Sequence, residues 1–274
     1  MKTDAPPILV AEGFNFPEGP SFDREGSLYV MECDAGRISK VTQDGHVEIF
    51  AETGGVPCGS RLHRSGHLIV AENGLAQILD FAPDGSWTVV AETFNNKPFR
   101  GPNDLILDRE GNCYFTDPKG STLEEPVGRV FRVGTDGAIS VFAVGLAFPN
   151  GICLSADEET LYVAETFTRR IHAFTLNPDG SANNRSLYAQ MEGGVGPDGM
   201  DFGADGNLYV AHYGKGAVAV IAPDGEVIEE LPMPGKNPTN VAFREDSLYV
   251  TETETGAVYR LEIGVEGQPL FGMR

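Results

Sequence analysis

The sequence predicts an all-β chain folded as a six-bladed β-propeller with four-stranded antiparallel blades. Three observations carry this prediction: 34 glycines and 18 prolines among 274 residues, a six-fold repeat spaced by 40–48 residues, and a second repeat of Asp-Gly turns in phase with it. Four strands within such a period are typical of one propeller blade. A β-sandwich, the alternative, has regular strands but no six-fold period.

Each copy of the first repeat contains an apolar residue, a polar turn and a short apolar strand. The copy S-F-D-R-E-G-S-L-Y-V ends at Val30, and the copy D-F-G-A-D-G-N-L-Y-V ends at Val210. The apolar residues before the six turns are Phe22, Leu62, Leu107, Leu154, Phe202 and Phe243. Because these copies span the chain, we predict a single domain over residues 1–274, with residues 1–7 as a flexible tail.

The second repeat is a turn that ends in Asp-Gly, a pair that supplies the positive φ angles of tight hairpins. It occurs at residues 42–45, 82–85, 134–137, 177–180 and 222–225. The last blade shows only three strands of its own. Its fourth strand is either the N-terminal run 8–11 or the C-terminal tail, and an N-terminal strand would close the ring and remove an exposed edge.

Composition narrows the classes of partner. Forty acidic and 20 basic residues give a formal charge of −20, which repels nucleic acid and anionic lipid, although the same charge also serves solubility. Four cysteines without C-x-x-C spacing indicate buried free thiols. No apolar run suits a signal peptide or a membrane span of about 20 residues. We therefore expect a soluble, cytoplasmic protein with no membrane partner; its oligomeric state is left open.

One side chain per blade is expected to converge on the propeller axis. The residues four positions before the apolar anchors are Glu18, Cys58, Asn103, Asn150, Asp198 and Thr239. They begin the first strand of each blade, and in a propeller that strand lines the central channel. Two carboxylates near one axis repel each other unless a cation lies between them. Glu18, Asn103, Asn150 and Asp198 are therefore predicted metal ligands; a hydrogen-bonded polar plug is the alternative.

The donor set also indicates which metal to expect. Carboxylate and amide oxygens without His or Cys favour Ca²⁺, Mg²⁺ or Mn²⁺ over Zn²⁺. We predict one divalent ion as cofactor, Ca²⁺ first, with Mg²⁺, Mn²⁺, Zn²⁺ or Fe²⁺ as alternatives.

A second set of equivalent positions lies two residues beyond the second strand's last apolar residue. Its members are Glu32, Glu72, Asp117, Glu165, His212 and Glu252. We expect the acids to accept hydrogen bonds from neighbouring loops, with Arg37, Lys119 or Arg169 as partners. His212 is either a substrate-binding residue at the channel mouth or a residue that satisfies a loop.

Four short motifs carry a resemblance to a known family. They are F-P-E-G-P at residues 16–20, R-G-P-N-D at 100–104, F-P-N-G-I at 148–152 and G-P-D-G-M at 196–200. In combination they resemble the SMP-30/gluconolactonase/LRE-like family, and the resemblance covers nearly the whole chain. It implies a six-bladed propeller hydrolase, often a calcium- or zinc-supported lactonase, and in some members an enzyme that acts on organophosphates.

The resemblance also implies roles for individual residues. Glu18, Asn150 and Asp198 match the family's metal ligands, and Asp198 also matches its proposed general base. Asn103 matches a residue beside the metal that contacts substrate and is a ligand in some members. Arg100 resembles a substrate-binding arginine, although two residues separate it from Asn103 where some members have one. The loop 119–128, with Glu124, is a candidate lid.

We therefore predict a metal-dependent hydrolase that opens a small lactone, a sugar (aldono) lactone, with Asp198 assisting attack by water. Organophosphate hydrolysis on the same site is one alternative, and a non-enzymatic ligand-binding propeller is another. The expected mouth combines aromatic and polar side chains, so its polarity does not separate the two substrate classes. These side chains are Phe99, Phe148, Phe167, Tyr213, Arg100, Asn103 and His212. A serine hydrolase is a poor fit, because no G-x-S-x-G segment occurs.

Overall fold

The computed structural model describes residues 5–269, so residues 1–4 of the predicted flexible tail lie outside the described part. Six four-stranded antiparallel sheets and one two-stranded hairpin make up its β-structure, which confirms the six-bladed propeller. Two single-turn 3₁₀ helices, Cys33–Ala35 and Thr166–Thr168, follow second strands of blades. Over residues 5–269 there is no helix with the length and apolarity to cross a membrane.

The strands follow one another along the chain in blade order. The first, β1 (Ile8–Glu12), precedes blade one, which comprises β2 (Pro17–Phe22), β3 (Leu28–Glu32), β4 (Arg37–Val41) and β5 (Val47–Glu52). Blade two comprises β6 (Pro57–Leu62), β7 (Leu68–Glu72), β8 (Gln77–Phe81) and β9 (Trp87–Ala91). The extra hairpin comprises β10 (Thr93–Phe94) and β11 (Lys97–Pro98). Blade three comprises β12 (Leu105–Leu107), β13 (Cys113–Asp117), β14 (Gly128–Val133) and β15 (Ile139–Leu146).

The remaining blades have the same order, with the innermost strand first. Blade four comprises β16 (Pro149–Leu154), β17 (Thr160–Glu165), β18 (Arg170–Leu176) and β19 (Ala182–Gln190). Blade five comprises β20 (Gly196–Phe202), β21 (Leu208–Tyr213), β22 (Ala217–Ile221) and β23 (Val227–Pro232). Blade six comprises β24 (Pro238–Arg244), β25 (Ser247–Glu252), β26 (Ala257–Glu262) and, outermost, β1.

The ring is closed by the N-terminal strand. β1 pairs antiparallel with β26, with Ile8 opposite Arg260 and Glu12 opposite Ala257. Of the two sequence-based alternatives, the N-terminal run is therefore the correct one. The pairing gives blade six its fourth strand and covers an edge that would otherwise be open for association.

The Asp-Gly turns connect the third and fourth strands of five blades, as predicted. In the first of them, the Gly45 amide donates to the Thr42 carbonyl at 2.9 Å, and Gly45 has a φ of 82°. The hairpin 93–98 is an addition that the repeat does not predict. Its turn residues Asn95 and Asn96 both have positive φ, which asparagine tolerates better than most residues, but they lack the Asn-Gly signal of a two-residue hairpin.

The hydrophobic core lies between neighbouring blades. Phe115 and Phe131 of blade three stack with ring centroids 5.4 Å apart, and Phe99 contacts both of them. The expectation that Phe99 lines the mouth is therefore wrong, because its ring is buried in this core. The same cluster includes Ile69 and Ile78 of blade two, so it joins two sheets face to face. All four cysteines are buried and free, as expected.

The six equivalent residues at the ends of the second strands tie the loops to the blades. Glu32 accepts the Asn15 amide at 2.9 Å, Asp117 accepts the Gly101 amide at 2.7 Å, and Glu252 accepts the Asn237 amide at 2.8 Å. These amides lie just ahead of the innermost strands. The acids therefore hold the chain segments that lead to the axis, as the sequence predicts.

The cationic partners of these acids differ in part from the expected ones. Arg37 donates to Glu32 at 2.8 Å, as predicted. Arg129, not Lys119, pairs with Asp117, because Arg129 lies directly opposite it in the β13–β14 ladder. His172 takes the place expected for Arg169, with its Nε2 2.8 Å from Glu165.

Glu165 provides a test of this buttressing role, in which a buried acid stabilises the fold by binding a neighbouring loop. Burial opposes its ionisation, but bonds from His172, the Ala147 amide and Thr168 outweigh burial and lower its pKa to about 2. We expect Glu165→Gln to reduce the free energy of unfolding by about 2 kcal/mol at pH 7, since charge-assisted bonds are lost. Because the folded-state pKa is lowered, this contribution is present above the ordinary glutamate pKa and disappears as the pH falls towards 2.

The measurement is urea unfolding of both proteins at pH 7 and at acidic pH. Glu159→Gln, which changes an exposed acid of the same blade, is the control and should match the parent. Equal stability of the parent and Glu165→Gln at pH 7 would contradict the buttressing role.

Candidate metal centre

The six residues predicted to begin the innermost strands, named here the strand heads, lie where each of these strands departs from regular pairing. They are Glu18, Cys58, Asn103, Asn150, Asp198 and Thr239. In β2 the register shifts between Glu18 and Ser21, and β16 and β20 show the same shift after Pro149 and Pro197. Glu18, Asn150 and Asp198 are each 6% exposed. The irregular register turns these buried polar residues out of the ordinary ladder at one end of the channel.

Asn103 is the exception in secondary structure, since β12 begins only at Leu105. Its backbone amide still donates to Thr116 of β13 at 2.9 Å, and its carbonyl accepts the Gly59 amide at 2.6 Å. Asn103 therefore keeps the equivalent position beside the neighbouring strand head, but it is only half-buried.

Glycine follows four of the six strand heads because the strands approach each other there at backbone distance. A Cβ atom on Gly19 would lie 2.1 Å from the Cys58 carbonyl oxygen, and one on Gly151 would lie 2.1 Å from the Asp198 carbonyl oxygen. Real Cβ atoms do not come this close, so any side chain would push the strand heads apart. The Glu-Gly and Asn-Gly pairs thus combine a donor with the close packing that the axis requires.

The two acidic strand heads are costly to ionise in this position. Burial raises the pKa of Glu18 to about 7, and the nearby Asp104 adds to the rise while bonds from the Gly19 amide and Asn240 oppose it. Burial raises the pKa of Asp198 well above its ordinary value, and the charge of Glu18 raises it further. The neighbouring Asn150 side chain opposes this rise. Glu18, Asn150 and Asp198 therefore form one electrostatic group.

Two polar residues directly below this group were not predicted. Asp104 and Asn240 occupy the positions that glycine fills in four other blades, and their side chains lie over Gly59 and Gly199 of neighbouring strands. Asn240 donates to Glu18 Oε2 at 3.3 Å. The available signal was that these two blades lack glycine after the strand head, as in the motif R-G-P-N-D.

The other two strand heads are engaged with their neighbours. The Thr239 hydroxyl donates to the Pro17 carbonyl at 2.8 Å, which links blade six to the head of blade one. Cys58 Sγ lies 3.7 Å from Cys33 Sγ, and the Cys33 thiol donates to the Pro57 carbonyl. Neither side chain adds an oxygen donor to the Glu18 group.

The donor chemistry fits a hard divalent cation. Asp198 Oδ1 is buried and has no hydrogen-bond partner within residues 5–269, and a buried carboxylate oxygen without a partner is expensive. A cation would satisfy it and would remove the mutual repulsion of Glu18 and Asp198. The described residues contain no group of three His, Cys, Asp or Glu side chains suited to a metal. The expected set has two carboxylates, with amide oxygens as its other donors.

The predicted substrate-binding residues lie in different surroundings. The Arg100 side chain is exposed, and its Nη1 donates to the Val127 carbonyl at 2.8 Å, which connects it to the loop 119–128. His212 is buried, and its Nε2 lies 3.0 Å from the Gly193 carbonyl oxygen, so it contacts the loop before β20. A role of His212 in substrate binding stays a prediction.

The candidate lid has a fixed base and an exposed tip. The Ser121 hydroxyl donates to the Leu146 carbonyl at 2.6 Å and accepts the Gly128 amide at 3.0 Å. Leu123 at the tip is 56% exposed, and Glu124 beside it is also exposed. At the same end of the propeller, the rings of Phe148 and Phe167 pack with centroids 4.8 Å apart.

Known proteins with similar sequences cover most of the chain. A diisopropyl-fluorophosphatase of Loligo vulgaris is 27% identical in an alignment 284 positions long, which covers 92% of this chain and 90% of that protein. A gluconolactonase of Zymomonas mobilis is 29% identical over 89% of this chain and 78% of its own length. A solved gluconolactonase structure from Xanthomonas campestris has a TM-score of 0.83 at 25% identity and covers 97% and 96% of the two chains.

The profile of one protein family extends over nearly the whole propeller. The SMP-30/Gluconolactonase/LRE-like region matches residues 16–254, from the motif at the head of blade one to the end of the second strand pair of blade six. The range ends just after β25, the second strand of blade six, and it includes all six strand heads. The chain therefore belongs to the SMP-30/gluconolactonase/LRE-like family.

Proposed function

We propose that this protein is a metal-dependent hydrolase that opens a small lactone, a sugar (aldono) lactone in the first instance. The observation that carries the proposal is the pair of buried strand-head carboxylates, Glu18 and Asp198, of which Asp198 has an oxygen without a partner among residues 5–269. Membership of a family that contains gluconolactonases supports the reaction class. Glu18, Asn150 and Asp198 are the proposed ligands, with Asn103 at or beside them, and Ca²⁺ is the first candidate ion.

The proposed ion would polarise the lactone carbonyl and offset the charge of the two carboxylates. In the proposed mechanism Asp198 removes a proton from a water molecule as that water attacks the carbonyl carbon. Asp198 then returns the proton to the ring oxygen as the ring C–O bond breaks, which yields the hydroxy acid. Asp198 must be ionised to act as the base, and burial and Glu18 both oppose ionisation. This requirement is an independent reason for a cation at the site.

Substrate orientation is assigned to residues at the mouth. Asn103 offers an amide beside the strand heads, and Arg100 offers an exposed guanidinium that can donate to hydroxyl or carbonyl oxygens. A polyhydroxylated lactone would use both residues. Glu124 of the loop 119–128 lies on the segment to which Arg100 is bound, so the proposed lid and the arginine would move together.

Phosphotriester hydrolysis is the second candidate. It is favoured by the similarity to the diisopropyl-fluorophosphatase over nine-tenths of both chains. The packed Phe148 and Phe167 rings also provide an apolar surface at the strand-head end. The same carboxylates and amides would serve this reaction, with a phosphoryl oxygen in place of the carbonyl oxygen.

The first prediction concerns substrate class. We expect the Ca²⁺-loaded protein to hydrolyse aldonolactones faster than diisopropyl fluorophosphate, and chelation to abolish the activity. A panel of lactones and the organophosphate, followed by acid release with a pH indicator, is the measurement. Preference for the organophosphate would transfer the proposal to the second candidate. If the protein, loaded in turn with Ca²⁺, Mg²⁺, Mn²⁺, Zn²⁺ or Fe²⁺, binds these compounds but hydrolyses neither class, a non-enzymatic propeller would be favoured.

The second prediction concerns Glu18 as a ligand. Glu18→Gln keeps the side-chain shape but removes one of the two negative charges, so metal affinity should fall by at least tenfold. Titration calorimetry with Ca²⁺ measures the affinity, and Glu48→Gln, an exposed acid on β5, is the matched control. Unchanged affinity in Glu18→Gln would remove Glu18 from the ligand set.

The third prediction separates the base from the ligands. Asp198→Asn retains an oxygen donor but cannot accept the proton, so kcat should fall by about 10²–10⁴-fold while appreciable metal affinity remains. Asn150→Asp should have a milder effect, because it keeps an oxygen donor in place. Both kcat and metal occupancy are measured on the same samples. Full occupancy with the parent kcat in Asp198→Asn would show that Asp198 is not the base.

A further inference from the structure

We propose that Arg61 is an internal counter-ion of the acidic channel, which stabilises the metal-free protein and weakens its affinity for a divalent cation. The second half of this proposal rests on the proposed metal site; the first half does not. Arg61 lies on β6 three residues beyond the strand head Cys58, so it is further along the same channel.

The surroundings of Arg61 are unusual for an arginine. The residue is 4% exposed. Its Nη1 donates to the Ser60 carbonyl at 3.3 Å, whereas its Nε and Nη2 are buried without a hydrogen-bond partner among the described residues. A buried guanidinium with so few bonds is costly unless nearby negative charge compensates it.

Two acids lie close to Arg61 in the channel: Asp104 crosses to Gly59 of the same strand, and Asp201 lines the same cavity as Arg61. Asp104 is 1% exposed, and its Oδ2 has no partner within the described chain. Burial raises the pKa of Asp201, and Arg61 opposes the rise. Arg61 is thus an electrostatic partner of both acids.

The interaction acts through space and not through a direct ion pair. Within residues 5–269 no carboxylate oxygen lies within 4.0 Å of the Arg61 guanidinium. Charges separated in this way still interact strongly when they are buried, because the surrounding protein screens them much less than water does. Asp104 directly follows the proposed ligand Asn103, so the charge of Arg61 also acts on the end of the channel that contains the proposed ligands.

At the far end of the channel, the surroundings of Arg61 disfavour the binding of an external anion. Arg61 lines a cavity of about 320 Å³ there, together with Asp201, Arg244, Glu245 and Glu266. Three acids against two arginines, in a chain of net charge −20, make this cavity unfavourable for a negative ligand. The charge of Arg61 is therefore directed at the protein's own acids.

The signs of the two effects follow from this arrangement. In metal-free protein, Arg61 offsets the buried negative charge of Asp104 and Asp201. In metal-loaded protein, the cation supplies positive charge to the same channel, and Arg61 then repels the cation. Removing the Arg61 charge should destabilise the metal-free form and tighten metal binding.

The experiment compares Arg61→Met, Arg61→Lys and Arg64→Met with the parent protein. Arg64 is exposed on the turn after β6, so the substitution Arg64→Met removes the same charge from a solvated position. Calorimetry with Ca²⁺ gives the Kd, and thermal unfolding in chelator gives the Tm of the metal-free form. We expect Arg61→Met to bind Ca²⁺ about tenfold more tightly and to have a metal-free Tm lower by about 5 °C. Arg61→Lys and Arg64→Met should match the parent in both measurements.

Each outcome bears on a different part of the proposal. Equal Kd values for the parent and Arg61→Met would overturn the inference while the metal site stands. A parent that binds none of the divalent ions would refute the metal site, and the metal-free Tm would then still test the counter-ion role. If Arg61→Met fails to fold, Arg61→Met with Asp104→Asn should restore folding, since both charges are gone. Failure of this double variant would show that Arg61 acts by packing and not by charge.

Discussion

The close approach of neighbouring innermost strands is the constraint on which the channel depends. At Gly19 and Gly151 one strand passes so near the next that a Cβ atom would contact a carbonyl oxygen at 2.1 Å. Six strands can converge on one axis only if most of them carry no side chain at the position after the strand head. The polar side chains of the strand heads then face the end of the channel. Glycine packing therefore brings these polar side chains together.

The protein uses buried carboxylates in two different ways, and hydrogen bonding separates them. Glu165 receives bonds from a backbone amide, a hydroxyl and a histidine, and its pKa is lowered despite burial. Asp198 leaves Oδ1 without a partner in the described chain, and burial raises its pKa. A satisfied acid stabilises the fold, whereas an unsatisfied one is poised to interact with something outside the chain.

The spacing of the repeat predicts the blades, the five Asp-Gly turns and the positions of Glu18, Asn150 and Asp198, because each depends on local pattern and on period. It does not predict Asp104 or Asn240 as neighbours of Glu18. Their side chains cross to adjacent strands, so these contacts form only when neighbouring blades pack, and the bond from Asn240 to Glu18 forms only when the ring closes. Arg129 pairs with Asp117 in place of the expected Lys119 for a similar reason. Cross-strand register decides it, and register is set by pairing between strands.

The closure of blade six has a consequence for how the chain reaches its folded state. Every other blade is built from strands that are consecutive in sequence, so its contacts are local. Blade six requires Ile8 to meet Arg260, at opposite ends of the described chain. Contacts of such high sequence separation are slow to form, since the entropy of closing a long loop is lost before any pairing energy is gained. On a ribosome, the first strand must wait unpaired until the last blade has been synthesised.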